Sequence, residues 1–420
     1  MAELNRRELL QLSAAGALQA GAPAVPQDER RDGLQRKRTG FSVPPDYLRE
    51  PEHIPEFWVS TYAEVERFLD GRVRKGTVRE IGRGAGGRPI RAVVYGRPRA
   101  DKGTTTFSGS LGYGDVRSWL GPDYARKVYL GMASVHGGEF EGIVGIVNLL
   151  AVLETGADLR GRTWPGITAA AAALGRIILI PVLNADGRSR VPLRMGAHRG
   201  TDHTVAEYFN TGGHPDGSLI GWPDCKESIP LDFSGTQFPG GYPNDAGVNV
   251  QHDDFFGRPQ PETRALLDLA AEERPDVTLN IHTGATFIHP LRPFIEPALT
   301  PTFEALYRRV MTQLTAAGLQ ASDDASVEAN PARERASVFN LDSALNLHCG
   351  SLSVLVESPS HAFSKAKRKG QPFLHTPDHL LDAPLICHQE AMGFLAETGG
   401  RWRWTPSPKS KWKARAPAGR

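Results

Sequence analysis

Apolar residues along this chain gather in short strand-like runs, at 90–95, 128–135, 177–183, 277–281 and 352–356. Between them lie stretches in which apolar positions recur every three or four residues, at 141–153, 262–273 and 379–397. Short runs bounded by turn formers are the pattern of buried strands, and the longer period is that of helices with one buried side. The alternation of the two predicts an α/β fold with helices on the faces of a sheet.

Three of the runs end in a residue suited to a metal site. The run 128–135 leads into His136-Gly137-Gly138-Glu139, the stretch from Asp276 closes on His282, and 352–356 delivers Glu357. Ligands of open α/β sheets bind beyond the carboxyl ends of strands, so the three positions are mutually consistent. Catalytic zinc takes three protein ligands, commonly two His and one Glu, and keeps a fourth position for water. His136 and Glu139 supply two of these, His282 is the candidate third, and Glu357 is a candidate general base. Taken singly, each has an ordinary alternative: an HxxE pair arises by chance in long chains, and a lone strand-end histidine is more often structural. The joint pattern, with glycine or a turn former after each member, favours the metal site.

As a set, these residues resemble the zinc carboxypeptidases of the carboxypeptidase A type. The resemblance rests on His136-Gly-Gly-Glu139 with the helical stretch behind it, Asn184-Ala-Asp186-Gly187, Gly247-Val-Asn249, Pro261-Glu262-Thr263-Arg264, the run ending in His282, and Glu357. They stand in that family's order and span residues 57–398. The resemblance implies an α/β fold with a mixed, mostly eight-stranded sheet flanked by helices. It also implies one Zn2+ per chain on His136, Glu139 and His282, with Glu357 taking a proton from the attacking water. An arginine that stabilises the oxyanion is expected after Asn184-Ala-Asp-Gly, where Arg188, Arg190, Arg194 and Arg199 lie; Arg194 is the first choice and Arg199 the second.

The departures from the family are equally specific. Where its members carry an Asn-Arg pair that grips a substrate carboxylate, this chain has Gln251-His252, followed by Asp253-Asp254. An arginine fork binds a carboxylate bidentately and is always charged, which a histidine is not. Gln251 and His252 are therefore the candidate substrate-binding positions, with strict carboxypeptidase action in doubt. Asn249 occupies the place of an aspartate behind the first zinc histidine; it can accept a hydrogen bond from the ring but adds no charge. The substrate-capping tyrosine has no match, since Tyr307 is the only tyrosine after His282, and Phe339 is the residue placed to fill that space.

The segment from Arg199 to Gly247 is long, weakly periodic and rich in Gly, His, Asp and aromatic residues, as expected of a loop that walls a substrate cleft. Its histidines His203 and His214, with His198 just before it, read as exposed loop residues ahead of a second metal site. Gly82-Arg-Gly84-Ala-Gly-Gly87 matches a dinucleotide fingerprint but precedes a strand-like run, so it reads as a turn. Cys225, Cys349 and Cys387 show no metal-binding spacing.

Composition changes the picture only at the ends. The 420 residues are 40% hydrophobic, without an apolar run long enough for a membrane span, and no nucleic-acid partner is expected. Residues 1–24 look like a twin-arginine export signal, with Arg6-Arg7, a modest apolar stretch and Ala22-Pro-Ala24, so an exported protein is expected and a cytoplasmic one is the alternative. Residues 25–56 read as an extension, 57–398 as one catalytic domain, and 399–420 as a disordered tail. That tail holds seven basic residues, no acidic ones and three tryptophans, a composition suited to weak contact with anionic surfaces.

Three functions follow. The first is a zinc metallopeptidase acting on a peptide near a chain end. The second is a zinc amidohydrolase or deacylase acting on an acylated amino acid or a cell-wall peptide. The third is a noncatalytic binding module that retains the scaffold.

Overall fold

A computed structural model of the protein describes residues 41–197, 204–221, 225, 230–284, 289–291, 295–319, 339–360, 367–368, 371–372 and 375–405. The main sheet is built from β1 (Thr77–Arg83), β2 (Pro89–Gly96), β3 (Val128–Ala133), β4 (Arg176–Ile180), β5 (Val277–Thr283), β6 (His289–Leu291) and β7 (Leu352–Ser358). Their order across the sheet is β1-β2-β4-β3-β5-β7-β6. The central strands β4, β3, β5 and β7 run parallel, while β1, β2 and β6 pair antiparallel at the two sides. Among the described residues the sheet therefore has seven strands, one short of the eight expected.

The helices that matter for the site are α1 (Tyr62–Arg72), α2 (Glu141–Thr155), α3 (Ala185–Arg190), α4 (Pro261–Glu273), α5 (Thr300–Ala316), α6 (Leu341–Cys349), α7 (Pro377–Thr398) and α8 (Arg401–Trp404). Strand β3 shows how the layers divide. Tyr129 and Ala133 join the core cluster with α2 and α7, whereas Val128, Leu130 and Met132 join the cluster on the opposite face with Leu266 and Leu269 of α4 and Leu345 of α6. Both faces of the strand are covered, which is why its sequence is an unbroken apolar run. Helices α2 and α7 touch so closely that a Cβ on Gly145 would lie 2.5 Å from Pro384 Cβ. Glycine is the residue that permits this approach.

Two boundaries differ from the sequence reading. Part of the stretch assigned to the N-terminal extension is folded onto the body: Phe41 meets Phe233 and Phe238 edge-on, and Tyr47 packs 4.5 Å from Tyr208. The first residues of the expected tail are also structure. Arg401 is buried, its backbone N–H donates to Asp276 Oδ1 at 2.8 Å, and its guanidinium donates to the Gly350 carbonyl and pairs with Glu296. The folded body thus reaches at least Thr405. The stretch expected to be an export signal and the remainder of the tail lie outside the described residues.

Of the glycine-rich segment 82–87, the first two residues end β1 and 84–87 form the expected turn. Gly84 N–H closes on Arg88 O, Ala85 N–H donates to Glu262 Oε1 and Gly86 N–H to Asp186 Oδ2, so its amides anchor two buried acids of the scaffold.

Candidate metal centre

Beyond the end of β3 the backbone turns sharply. Ser134 is buried at φ 56°, a left-handed conformation that a non-glycine residue adopts rarely. The chain is held there by Asn184 N–H on Ser134 O at 2.8 Å and by Gly137 N–H on Gly241 O at 2.8 Å. The two glycines of His136-Gly-Gly-Glu139 are required by contact. A Cβ on Gly137 would stand 2.1 Å from the Gly187 carbonyl carbon at α3, and one on Gly138 would stand 2.2 Å from Asn210 Oδ1.

This turn brings His136 and Glu139 together at the carboxyl edge of the sheet, where β5 ends in His282. Glu139 presents one oxygen to each imidazole: Oε1 lies 2.8 Å from His136 Nδ1 and Oε2 lies 3.0 Å from His282 Nδ1. Thr283 N–H donates to Glu139 Oε2 at 3.0 Å, and Thr283 Oγ1 donates to Glu141 Oε2 at 2.9 Å, tying the end of β5 to the start of α2. All three metal-type residues are buried, and their donor atoms lie within 4.8 Å of one another.

The tautomer of His136 follows from its far side. Asn249 Oδ1 accepts from Gln251 N–H at 3.0 Å while Asn249 Nδ2 donates to Cys225 O at 2.9 Å, which fixes the amide. The same Oδ1 lies 3.1 Å from His136 Nε2, so Nε2 carries the hydrogen and Nδ1 turns a lone pair toward Glu139. Tyr242 stacks on the imidazole at 3.7 Å between ring centroids. A lone pair aimed at a carboxylate oxygen is repulsive unless a cation lies between them. Two imidazoles and a carboxylate are also the donor set that catalytic zinc takes.

The charges at the site divide accordingly. Burial pushes the Glu139 carboxyl up, but His136 and His282 outweigh it and hold it well below the usual range. Burial depresses His136, and Glu139 only partly offsets this. His282 is different: burial depresses it, yet Glu139, with Glu357 and Asp342 beyond, raises it to about 9. The charge of His282 lowers His136 further, whereas Glu357 and Asp342 add to Glu139 beside His282. Glu357 sits opposite His282 in the β5–β7 register, partly exposed. Burial raises its carboxyl above the ordinary value, against a lowering by His282.

Other predicted residues go elsewhere. Arg194, the first choice for the oxyanion, stands 2.7 Å from Glu64 of α1 and donates to Trp58 O at 3.3 Å; nothing links it to the metal-type cluster. Arg188 is fully buried and donates to the carbonyls of Ser60, Gly137, Val191 and Leu193, so it clamps the loop behind the site. Arg190 pairs with Asp245 at 2.9 Å. Arg199, with His198 and His203, lies outside the described residues. Gln251 also departs from expectation: its side chain is buried and donates to Asp342 Oδ2 at 3.1 Å, turning away from a substrate role. His252 is half-buried at the end of the same short turn. Phe339 meets Phe255 edge-on and Phe256 at a tilt, the latter strongly exposed.

The long loop does wall a cavity, of about 360 Å³, lined by Thr211, His214, Ile220, Leu231 and, at its inner end, Asn249. Sequence reasoning missed Tyr242 and Asp342. Tyr242 stood within the aromatic-rich segment from Arg199 to Gly247, but nothing in its spacing pointed to a histidine distant in sequence.

No protein-family profile matches the chain, and no curated protein matches it by sequence. Solved structures do. A metallo-carboxypeptidase from Burkholderia cenocepacia superposes with a TM-score of 0.50 at 14% identity, covering 80% of this chain and 69% of that one. A carboxypeptidase A from Helicoverpa armigera gives a TM-score of 0.44 at 14% identity, over 93% of this chain and 85% of that one. The first of these, with the strand order and helix layers above, shows that this protein has the metallo-carboxypeptidase fold.

Proposed function

We propose that the protein is a zinc-dependent metallopeptidase of carboxypeptidase type, with one Zn2+ on His136, Glu139 and His282. The observation that carries this reading is the carboxylate of Glu139 shared between two imidazole Nδ1 atoms, with Glu357 on the adjacent strand. Bound zinc supplies Lewis acidity, polarising the scissile carbonyl and lowering the pKa of a water toward roughly 7. Glu357 takes the proton from the attacking water and passes it to the departing amine, so that one amide bond and one water become a carboxylic acid and an amine. A carboxyl raised by burial suits a group that must both accept and return a proton. With Arg188, Arg190 and Arg194 engaged in the scaffold, Arg199 is the arginine assigned to the oxyanion.

One observation favours a broader second reading, a zinc amidohydrolase or deacylase. Gln251 spends its amide on buried Asp342, so the position of the family's carboxylate clamp offers no fork to a free C-terminus. The two readings separate in one experiment: zinc content per chain, with hydrolysis of matched peptides bearing free and amidated C-termini. Cleavage restricted to the free carboxylate establishes carboxypeptidase action. Cleavage of both establishes the amidohydrolase, and failure to bind zinc after reconstitution removes both.

A further inference from the structure

Asp342 lies in the first turn of α6, fully buried, and no lysine or arginine among the described residues pairs with it. Its charge is met by three side-chain donors from three segments: Gln251 Nε2 at 3.1 Å, Asn280 Nδ2 at 3.0 Å and Ser353 Oγ at 2.7 Å. Each donor belongs to an element that carries part of the metal centre. Gln251 N–H bonds to Asn249, whose same oxygen faces His136. Asn280 is two residues before His282, on the same face of β5, and Ser353 is four before Glu357 on β7, again on one face.

The amide orientations have a cost that identifies what sets them. With both nitrogens turned onto Asp342 Oδ2, Gln251 Oε1 and Asn280 Oδ1 are buried without partners, as is His282 Nε2. An unpaired buried acceptor is costly, and hydrogen bonds to a charged group are the ones strong enough to offset it. The carboxylate, then, fixes how both amides point.

We propose that Asp342 is a positioning residue of the metal centre, orienting His136 through Gln251 and Asn249 and His282 through Asn280. The proposal rests on the reading that His136, Glu139 and His282 bind zinc. Asp342→Asn keeps the shape, and its one oxygen can still face both amides with its nitrogen turned to Ser353 Oγ, so what it removes is the charge that holds them. Outer partners of metal ligands typically change affinity by ~10–100-fold.

The test is zinc affinity by competition with a chromophoric chelator, alongside the melting temperature of the metal-free protein. Asp276→Asn is the matched control: another buried aspartate with several donors, at the opposite end of β5. It is expected to lower the melting temperature and leave zinc affinity unchanged, whereas Asp342→Asn weakens zinc by ~10–100-fold. Adding Gln251→Glu to Asp342→Asn restores a carboxylate–amide pair and is expected to recover part of the affinity. Should Asp342→Asn fail to fold, Gln251→Leu alone breaks one arm and is expected to weaken zinc by a smaller factor. Wild-type zinc affinity in the folded Asp342 or Gln251 variants overturns the positioning role while leaving the metallopeptidase reading intact. A wild-type chain that binds no zinc overturns both.

Discussion

His282 and Glu357 stand opposite each other at the carboxyl ends of adjacent parallel strands, in a register running unbroken from Val277↔Leu352 to Thr283↔Ser358. Two residues far apart in sequence are thereby placed with the precision of a strand ladder, and the proposed ligand and base are held on rigid elements.

Glu357→Gln tests the division of labour between them. The variant is expected to retain one zinc per chain and lose ~10²–10⁴-fold in kcat, the usual span for a positioned acid–base group. Wild-type turnover in zinc-loaded Glu357→Gln would falsify the assignment.

Asn249 tunes the other histidine. Asn249→Asp puts a negative charge behind the His136 ring and is expected to tighten zinc, whereas Asn249→Leu removes the acceptor and is expected to weaken it by ~10–100-fold. Chelator competition reads both, and an unchanged affinity in the leucine variant means that His136 is oriented by something else.

The two glycines beside His136 differ in what they contact, so they should differ in rescue. Gly137→Ala drives a methyl group into the Gly187 backbone and is expected to abolish zinc binding. Gly138→Ala meets chiefly the tip of Asn210, at 2.2 Å, with the Phe209 carbonyl at 3.0 Å, so Asn210→Ala added to it is expected to restore part of the zinc stoichiometry. If the double variant binds no more zinc than Gly138→Ala, the contact with Asn210 is not what the glycine serves.

Stability should fall in acid through His388. This histidine is fully buried on α7, its Nδ1 is 2.7 Å from Tyr129 Oη, and burial depresses its pKa to about 3. Unfolded, it titrates near 6.5. The unfolded chain therefore binds the extra proton between those values, so the contribution is intact above about pH 6.5 and lost as pH falls toward 3. Replacing the pair by His388→Leu and Tyr129→Phe is expected to flatten the fall in unfolding free energy of the metal-free protein between about pH 6.5 and 4. A slope equal to that of the wild type assigns the acid sensitivity to other groups.

Much of this was legible in the residues. Strands β3 and β4 are buried on both faces and so wrote themselves as largely apolar runs, whereas β5 and β7 mix apolar residues with buried Thr278, Asn280 and Ser353. His136, His282 and Glu357 were visible because each ends such a run. The eight-strand expectation came from the family resemblance, whereas β6, only three residues long, leaves little pattern of its own. The arginines are hard to sort in sequence because a guanidinium looks solvent-bound there, yet Arg188 sits at the centre of four carbonyls. Asp342 was invisible: its partners lie 91, 62 and 11 residues away, and no local period records that they meet.

The clasp between Asp276 and Arg401 orders events in time. Asp276 also accepts from Arg99 and from Val128 N–H, so the base of the sheet gathers segments spanning three hundred residues of chain. During synthesis the ribosome delivers Arg99 and Val128 long before Arg401. A nascent chain that has passed β7 contains every described strand of the main sheet and every proposed zinc ligand, yet Asp276 still lacks the last of its donors. The native base is sealed only once residue 401 has emerged, so a stop between β7 and that residue would leave the proposed ligands present but the fold unlatched.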